Sequence, residues 1–170
     1  MSGKILIDGD IIAYRAGFSS NDLTAKDAEL KVDELISTIL SDTEGFADDN
    51  YEVYLTGKGN FRFDIAKTLE YKGNRKSREK PKHLEALRDF FVNELDAIVT
   101  IGEEADDRIA IRATQEGDKS IAISLDKDFD QFAGWHYNFV KKNKYYITEE
   151  EGLFNFYMQF LVGDSADNIK

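Results

Sequence analysis

Four short apolar runs, spaced by stretches of helical period, constrain this chain's fold more than any other feature. Lys4–Asp8 (KILID), residues 51–56 (YEVYLT), 97–101 (AIVTI) and 120–125 (SIAISL) are each too short for a buried helix and read as strands. Residues 10–18 (DIIAYRAGF) suit a helix. Thr24 with Asp27 resembles a capping box opening a second helix to about Leu40, with Ala28, Val32, Leu35, Ile36 and Ile39 on its apolar stripe. Leu84, Leu87, Phe91 and Leu95 form the stripe of a third, with Pro81 in its first turn. A fourth is expected from about Glu104 to Glu116, with Ile109, Ile111 and Ala113 buried and Gly117 as its stop. Residues 137–140 and 145–148 suit two more short strands around a turn at 141–144. Thr148 and Glu151 then cap a last helix to about Leu161. Strands alternating with helices imply an α/β fold, a mostly parallel central sheet with helices on both faces. At 170 residues, one domain is expected.

The third run, expected to be a buried strand, leads into Gly102-Glu103-Glu104-Ala105-Asp106-Asp107-Arg108-Ile109-Ala110, with four carboxylates in five residues. Glu104 and Asp107 fall on one helical face with Asp106 beside them. Such an acidic first turn can simply be solvated, complementing the helix dipole. Alternatively, like charges this close raise one another's pKa and cost stability unless a cation sits among them. Removing Asp106 or Asp107 should then stabilise the metal-free chain. Topology favours the cation. Open α/β sheets bind ligands at the carboxyl ends of their strands. Asp8 ends the first run, Glu104, Asp106 and Asp107 follow the third, and Asp126 and Asp128 follow the fourth. These acids are expected to converge on one edge, with Glu103 facing water.

An all-oxygen cluster suits a hard cation, Mg²⁺ or Mn²⁺. The chain has no cysteine, and only His83 and His136, so thiolate sites are excluded and imidazole chemistry has few candidates. More than five convergent carboxylates exceed the needs of one octahedral ion and suggest two, the arrangement used for in-line phosphoryl displacement. A net charge of −11 argues against a generic polyanion binder but not against a nuclease whose acids hold cations. Local positive charge comes from residues 71–82. There Lys72, Arg75, Lys76, Arg78 and Lys80 suit phosphates and Tyr71 suits stacking on a base. No run of about 18 apolar residues suits a membrane span, and the N-terminus does not suit a signal peptide.

Taken together, the motifs resemble the 5′-nuclease superfamily: flap endonucleases, phage 5′–3′ exonucleases and the 5′-nuclease domain of DNA polymerase I. They are Ile7-Asp8-Gly9 with Ala13-Tyr14-Arg15, Phe61-Arg62, Tyr71-Lys72-Gly73-Asn74-Arg75 and Gly102-Glu103-Glu104-Ala105-Asp106-Asp107. Ser124-Leu125-Asp126-Lys127-Asp128 with Gln131 follows, then Gly163-Asp164 through Asp167-Asn168. The resemblance implies a PIN-like core with a basic arch insertion at about 61–82, and Asp8, Glu104, Asp106 and Asp126 or Asp128 around a first ion. It puts Asp128, Asp164 and Asp167 nearer a second, with Lys72 and Arg75 facing the scissile phosphate. It further implies two Mg²⁺ or Mn²⁺ ions and DNA 5′ ends or flaps as substrate, with RNA/DNA hybrids open. The expected setting is a monomer, away from membranes, in the cytoplasm of a bacterial or phage-infected cell. Two departures stand out. Thr56 occupies a position where the family usually has Asp, with Asp10 or Asp64 as possible compensation. The family also continues into a helix-hairpin-helix beyond the equivalent of Lys170, so a fragment is the expectation.

Three other readings share some of these residues. A haloacid-dehalogenase-type phosphatase would use Asp8 and Asp10 as its nucleophile pair, but leaves the two later acidic motifs and the basic stretch unused. A PIN-type ribonuclease would lack the arch insertion. A non-catalytic nucleic-acid-binding module would fit the loss of acid at Thr56.

Overall fold

The computed structural model describes residues 3–46, 50–67, 69–75 and 79–163. The core strand is β1 (Lys4–Asp8), which pairs in parallel with β2 (Tyr51–Leu55) on one side and β4 (Ser120–Ile123) on the other. The sheet order is β3-β2-β1-β4-β5-β6, where β3 is Ile98–Val99, β5 Gly134–Asn138 and β6 Asn143–Ile147. Only the β5–β6 hairpin is antiparallel among these pairs. This is the expected α/β architecture, a mostly parallel sheet with helices on both faces.

Strand periodicity explains the two layers. Successive β1 side chains point to opposite faces, so Ile5 and Ile7 join one core cluster and Leu6 another. Ile5 and Ile7 pack with α1 (Gly9–Phe18), α2 (Ala25–Asp42) and α4 (Leu84–Glu94). Leu6 packs with Ile109 and Ala113 of α5 (Ala105–Glu116) and with Ala122 and Phe129. Burying each large aliphatic side chain this way contributes roughly 1.5–3 kcal/mol. A strand covered on both faces is therefore continuously apolar, as Ile5-Leu6-Ile7 is. Gly9 turns the chain from β1 into α1 beneath β2. A Cβ there would stand 2.8 Å from the Tyr54 carbonyl oxygen.

Several expectations are corrected. The third run is not a buried strand. β3 is two residues long at the sheet edge, Ile98 and Val99 are exposed, and Ile101 is 85% exposed. An edge position leaves it with β2 as a neighbour and, among the described residues, no strand on its outer side. Ile111 is exposed because it lies two residues from Ile109, on the opposite side of α5. Pro81 precedes α4 rather than entering it, packing on Gly17 while its carbonyl accepts from the Leu84 amide. The hairpin starts earlier than expected, at Gly134. Its turn is set by Asn138, whose side-chain oxygen accepts from the amides of Val140 (3.2 Å) and Lys141 (3.0 Å). The remaining helices are α3 (Arg62–Ile65), a single turn, and α6 (Glu149–Val162).

Candidate metal centre

Asp8 is both the last residue of β1 and the N-cap of α1, where its Oδ1 accepts from the Ile11 amide at 3.2 Å. Its Oδ2 accepts from the Ser124 hydroxyl at 2.9 Å, and that hydroxyl also accepts from the Asp126 amide at 3.1 Å. The ends of β1 and β4 are thus tied through one hydroxyl. Burial, with the neighbouring Asp10 and then Asp106 carboxylates, pushes Asp8 up to about 7 against the pull of those hydrogen bonds.

The first turn of α5 supplies the second group. Glu104 is its N-cap, forming a capping box with Asp107, whose Oδ2 accepts from the Glu104 amide at 3.1 Å. Asp106 is pushed up to about 6 by burial and by the Glu104 and Asp107 carboxylates. Asp107 goes the other way. Burial raises it, but Arg62 and the Glu104 amide outweigh that and hold it below the usual carboxylate range. Arg62 is bidentate on Asp107, at 2.5 and 2.7 Å. Glu103, expected to face water, instead pairs with Arg108.

The third group follows β4. Asp126 caps the 3₁₀ turn Lys127–Gln131, its Oδ1 accepting from the Asp128 amide at 3.0 Å, and its side chain is exposed. Asp128 lines a cleft of about 250 Å³ together with Asp106, Asp107, Ala110, Phe129 and Phe156. At the carboxyl edge of the sheet Asp8 thus has Asp106 as an acidic neighbour, and Asp106, Asp107 and Asp128 line one cleft.

Two cationic residues close this edge. Lys72 adopts a left-handed backbone (φ 52), which costs an L-residue about 1–2 kcal/mol. From there its Nζ donates to Glu104 Oε1 at 2.6 Å. Glu104, almost fully buried, also accepts from Asn60 at 2.8 Å and from the Tyr71 hydroxyl at 3.0 Å. Tyr71 is buried, edge-on to Phe63 at 5.5 Å, so in this conformation it offers no open face for stacking. The exposed rings nearby are Phe61, beneath the Arg62 guanidinium at 4.9 Å, and Phe63. Lys80 is exposed, and the Arg75 backbone lies in the 3₁₀ turn Gly73–Arg75. Lys76, Arg78, Asp164 and Asp167 lie outside the described residues.

The donor set fits a hard divalent cation on chemical grounds. Asp8 and Asp106 are oxygen donors raised by burial and by neighbouring carboxylates, Asp106 among those acting on Asp8, a cost that a cation between carboxylates removes. Among the described residues no three acidic or imidazole groups yet close on one point, because Glu104 and Asp107 turn toward Lys72 and Arg62.

No family model and no curated sequence matches the chain. Solved structures do. The bacteriophage T5 flap endonuclease, as a pseudo-enzyme–product complex with DNA and metal ions, matches at TM-score 0.67 and 20% identity, covering 97% of this chain and 68% of its own. A second T5 structure, co-crystallised with metal ions, matches at TM-score 0.63 and 22% identity, over 97% and 67% of the two chains. A lysine-to-alanine mutant of T5 5′-exonuclease matches at 0.64 and 17%, over 99% and 65%. The chain has the fold of these T5 nucleases. It spans about two thirds of the length of these neighbours.

Within this fold, the end of β2 has structural work to do. The Thr56 hydroxyl accepts from the Ala105 amide at 2.9 Å, capping the start of α5. Asp10 is held by Arg88 at 2.6 Å and by the Thr56 amide at 2.8 Å, and the other Arg88 nitrogen reaches the Thr56 carbonyl at 2.6 Å. Asp10 is thus engaged in fixing β2 to α4, and Asp64 is exposed on α3. Sequence reasoning assigned no role to Arg62, Ser124 or Asn60. The first two stood inside motifs singled out in the sequence, which was the available signal.

Proposed function

We propose that this chain is the core of a divalent-metal-dependent 5′ nuclease that hydrolyses DNA phosphodiesters at 5′ ends or flaps. The observation that carries the reading is the placement of Asp8 and Asp106, two carboxylates from separate elements at the carboxyl edge of the sheet, each raised by burial and by acidic neighbours. Asp8, Asp106, Asp126 and Asp128 are the residues that would hold the cations, with Glu104 and Asp107 joining once released from Lys72 and Arg62. Bound there, two divalent ions would supply a water nucleophile at neutral pH and neutralise charge on the scissile phosphate. The chain's own contribution is positional. The Ile11 amide and Ser124 fix Asp8, Asp126 fixes the turn that carries Asp128, and Lys72 and Arg62 present positive charge where a phosphodiester would enter. The likeness to a T5 flap endonuclease solved with DNA and metal ions supports this substrate class.

A second reading is a non-catalytic DNA-binding module of the same fold, favoured by a hydroxyl at Thr56 that is spent on capping α5. One experiment separates the two: digestion of 5′-labelled flap, duplex and single-stranded DNA with and without Mg²⁺, alongside Asp126→Ala. Mg²⁺-dependent release of 5′ products, lost in the variant, supports the nuclease. DNA binding with no cleavage under any condition supports the module.

A further inference from the structure

One face of α6 is built from small and polar residues. Gly152, Asn155 and Gln159 succeed one another at spacings of three and four, so they share one helical face. That face lies on the 3₁₀ turn Lys127–Gln131. A Cβ on Gly152 would stand 3.0 Å from the Gln131 carbonyl oxygen, so the helix backbone rests directly on the turn. Asn155 Nδ2 donates to the Asp130 carbonyl at 2.8 Å. One turn further, Gln159 Nε2 donates to Asp128 Oδ1 at 2.9 Å, while Gln159 Oε1 accepts from Gln131 Nε2 at 2.5 Å. Gln131 thereby fixes which end of the Gln159 amide faces the carboxylate. The donor faces Asp128, as an ionised acid requires.

We infer that Gln159 is a positioning residue for Asp128, and that α6 serves as the mount from which this acid is aimed at the cleft it shares with Asp106 and Asp107. The inference rests on the reading of Asp128 as a metal ligand. The physical reason is directional. The Gln159 amide, oriented by Gln131, adds an aimed hydrogen bond on Asp128 Oδ1, where the Lys127 ammonium at 4.0 Å adds charge without direction. Partners of this kind orient metal-binding carboxylates, and losing one typically costs 10–100-fold in metal affinity. Nothing in this arrangement requires an apolar contact, and the outward residues Leu153, Phe154, Phe160 and Leu161 take no part in it.

The test is a Mn²⁺ titration of the whole chain without DNA, with free Mn²⁺ followed by electron paramagnetic resonance, and metal-free melting measured in parallel. Gln159→Met keeps the length of the side chain and removes both hydrogen bonds. It is expected to weaken Mn²⁺ binding about 10-fold. Asn155→Met removes a dock that does not touch Asp128 and is expected to keep wild-type affinity. In an Asp128→Asn background, Gln159→Met is expected to have no further effect. Wild-type affinity in Gln159→Met overturns the inference. So does an equal loss in Asn155→Met, which would mean that α6 docking in general is what matters. If Gln159→Met fails to fold, Gln131→Met, which releases the orienting contact, is expected to weaken binding in the same direction, and unchanged affinity there is equally fatal. A wild-type chain that binds no Mn²⁺ removes the metal-centre reading itself, and the inference with it.

Discussion

α5 and α6 begin alike and end up doing opposite things. Both open on a capping box, Glu104 with Asp107 in one and Thr148 with Glu151 in the other, and both carry acids through the first turn. On α6 those acids, Glu149, Glu150 and Glu151, are exposed, and hydrogen bonds from Thr148 hold Glu151 below the usual range. On α5 burial and neighbouring carboxylates push Asp106 up to about 6. The helices also face in opposite senses. α5 buries Ala105, Ile109 and Ala113, whereas α6 turns Asn155 and Gln159 inward and leaves Phe154, Phe160 and Leu161 exposed. An acidic first turn is therefore no sign of a site by itself. What makes one is the company brought to it by other strands.

The largest expected effect tests that contrast directly. Asp106→Asn should lower the rate of Mg²⁺-dependent flap cleavage at least about 100-fold, the few kcal/mol that a bound metal supplies to charge development. Glu150→Gln, the corresponding neutralisation on α6, should leave single-turnover rates at the wild-type value. Comparable losses in both variants would mean that general acidity, not the convergence of acids, underlies activity.

Metal-free stability should split the acids by sign. Asp8 has a folded pKa of about 7 and Asp106 of about 6, both raised above the unfolded value of 3.8. In the interval between the two values the folded state holds more protons than the unfolded one, so stability falls as pH rises from about 4 to 7 and levels off above. Asp8→Asn, which keeps an acceptor for the Ile11 amide, should raise metal-free stability at neutral pH by roughly 1–3 kcal/mol and flatten that slope. Asp107→Asn should do the reverse, because it breaks a bidentate pair with Arg62 that holds the acid below its usual range. Crowding of like charges alone predicts the same sign for Asp106 and Asp107. Chemical denaturation in EDTA across this pH interval measures both. A stabilised Asp107→Asn would show that Arg62 does not engage the acid in solution.

Lys72 connects the two properties. Removing it takes a charge from the entrance and leaves Glu104, almost fully buried, with Asn60 and Tyr71 as its recorded partners. Lys72→Met should slow cleavage about 10-fold and lower metal-free stability by roughly 1 kcal/mol. Added Mg²⁺ should erase most of the stability difference, since the cation replaces the ammonium beside Glu104. Rapid-quench rates and melting with and without Mg²⁺ read the two effects separately, and a stability gap that persists in Mg²⁺ would argue against exchange at Glu104.

Much of this was legible in the chain because it is local. The apolar runs of β1 and β4, the capping boxes at Thr24 and Thr148, and the glycine stop at Gly117 each depend on residues within a turn of one another. The convergence of Asp8 with Asp106 followed from a topological rule applied to those local elements. Contacts made across the fold were not legible. Arg62 finds Asp107 over 45 residues, Ser124 finds Asp8 over 116, and Gln159 finds Asp128 over 31. The exposed β3 was missed because an edge strand and a buried one share the same short apolar signature, and position in the sheet decides between them. Two amides at helical spacing, in the largely apolar stretch that follows the acidic first turn of α6, were the one visible hint of how this helix is mounted.

The smallest expected effect compares the caps that start these two helices. The Thr148 hydroxyl accepts from the Glu151 amide at 3.2 Å at an exposed helix start. The Thr56 hydroxyl reaches across from the end of β2 to accept from the Ala105 amide at 2.9 Å, and Ala105 is buried. Thr148→Val should cost about 0.5–1 kcal/mol, because water can take over the freed amide. Thr56→Val, nearly the same in shape, should cost about 1–2 kcal/mol, because a buried donor loses its partner without water to replace it. Equal costs would show that solvent reaches the start of α5 beside the carboxylates. An inequality in the stated direction would show that this hydroxyl holds Asp106 and Asp107 at the head of their helix.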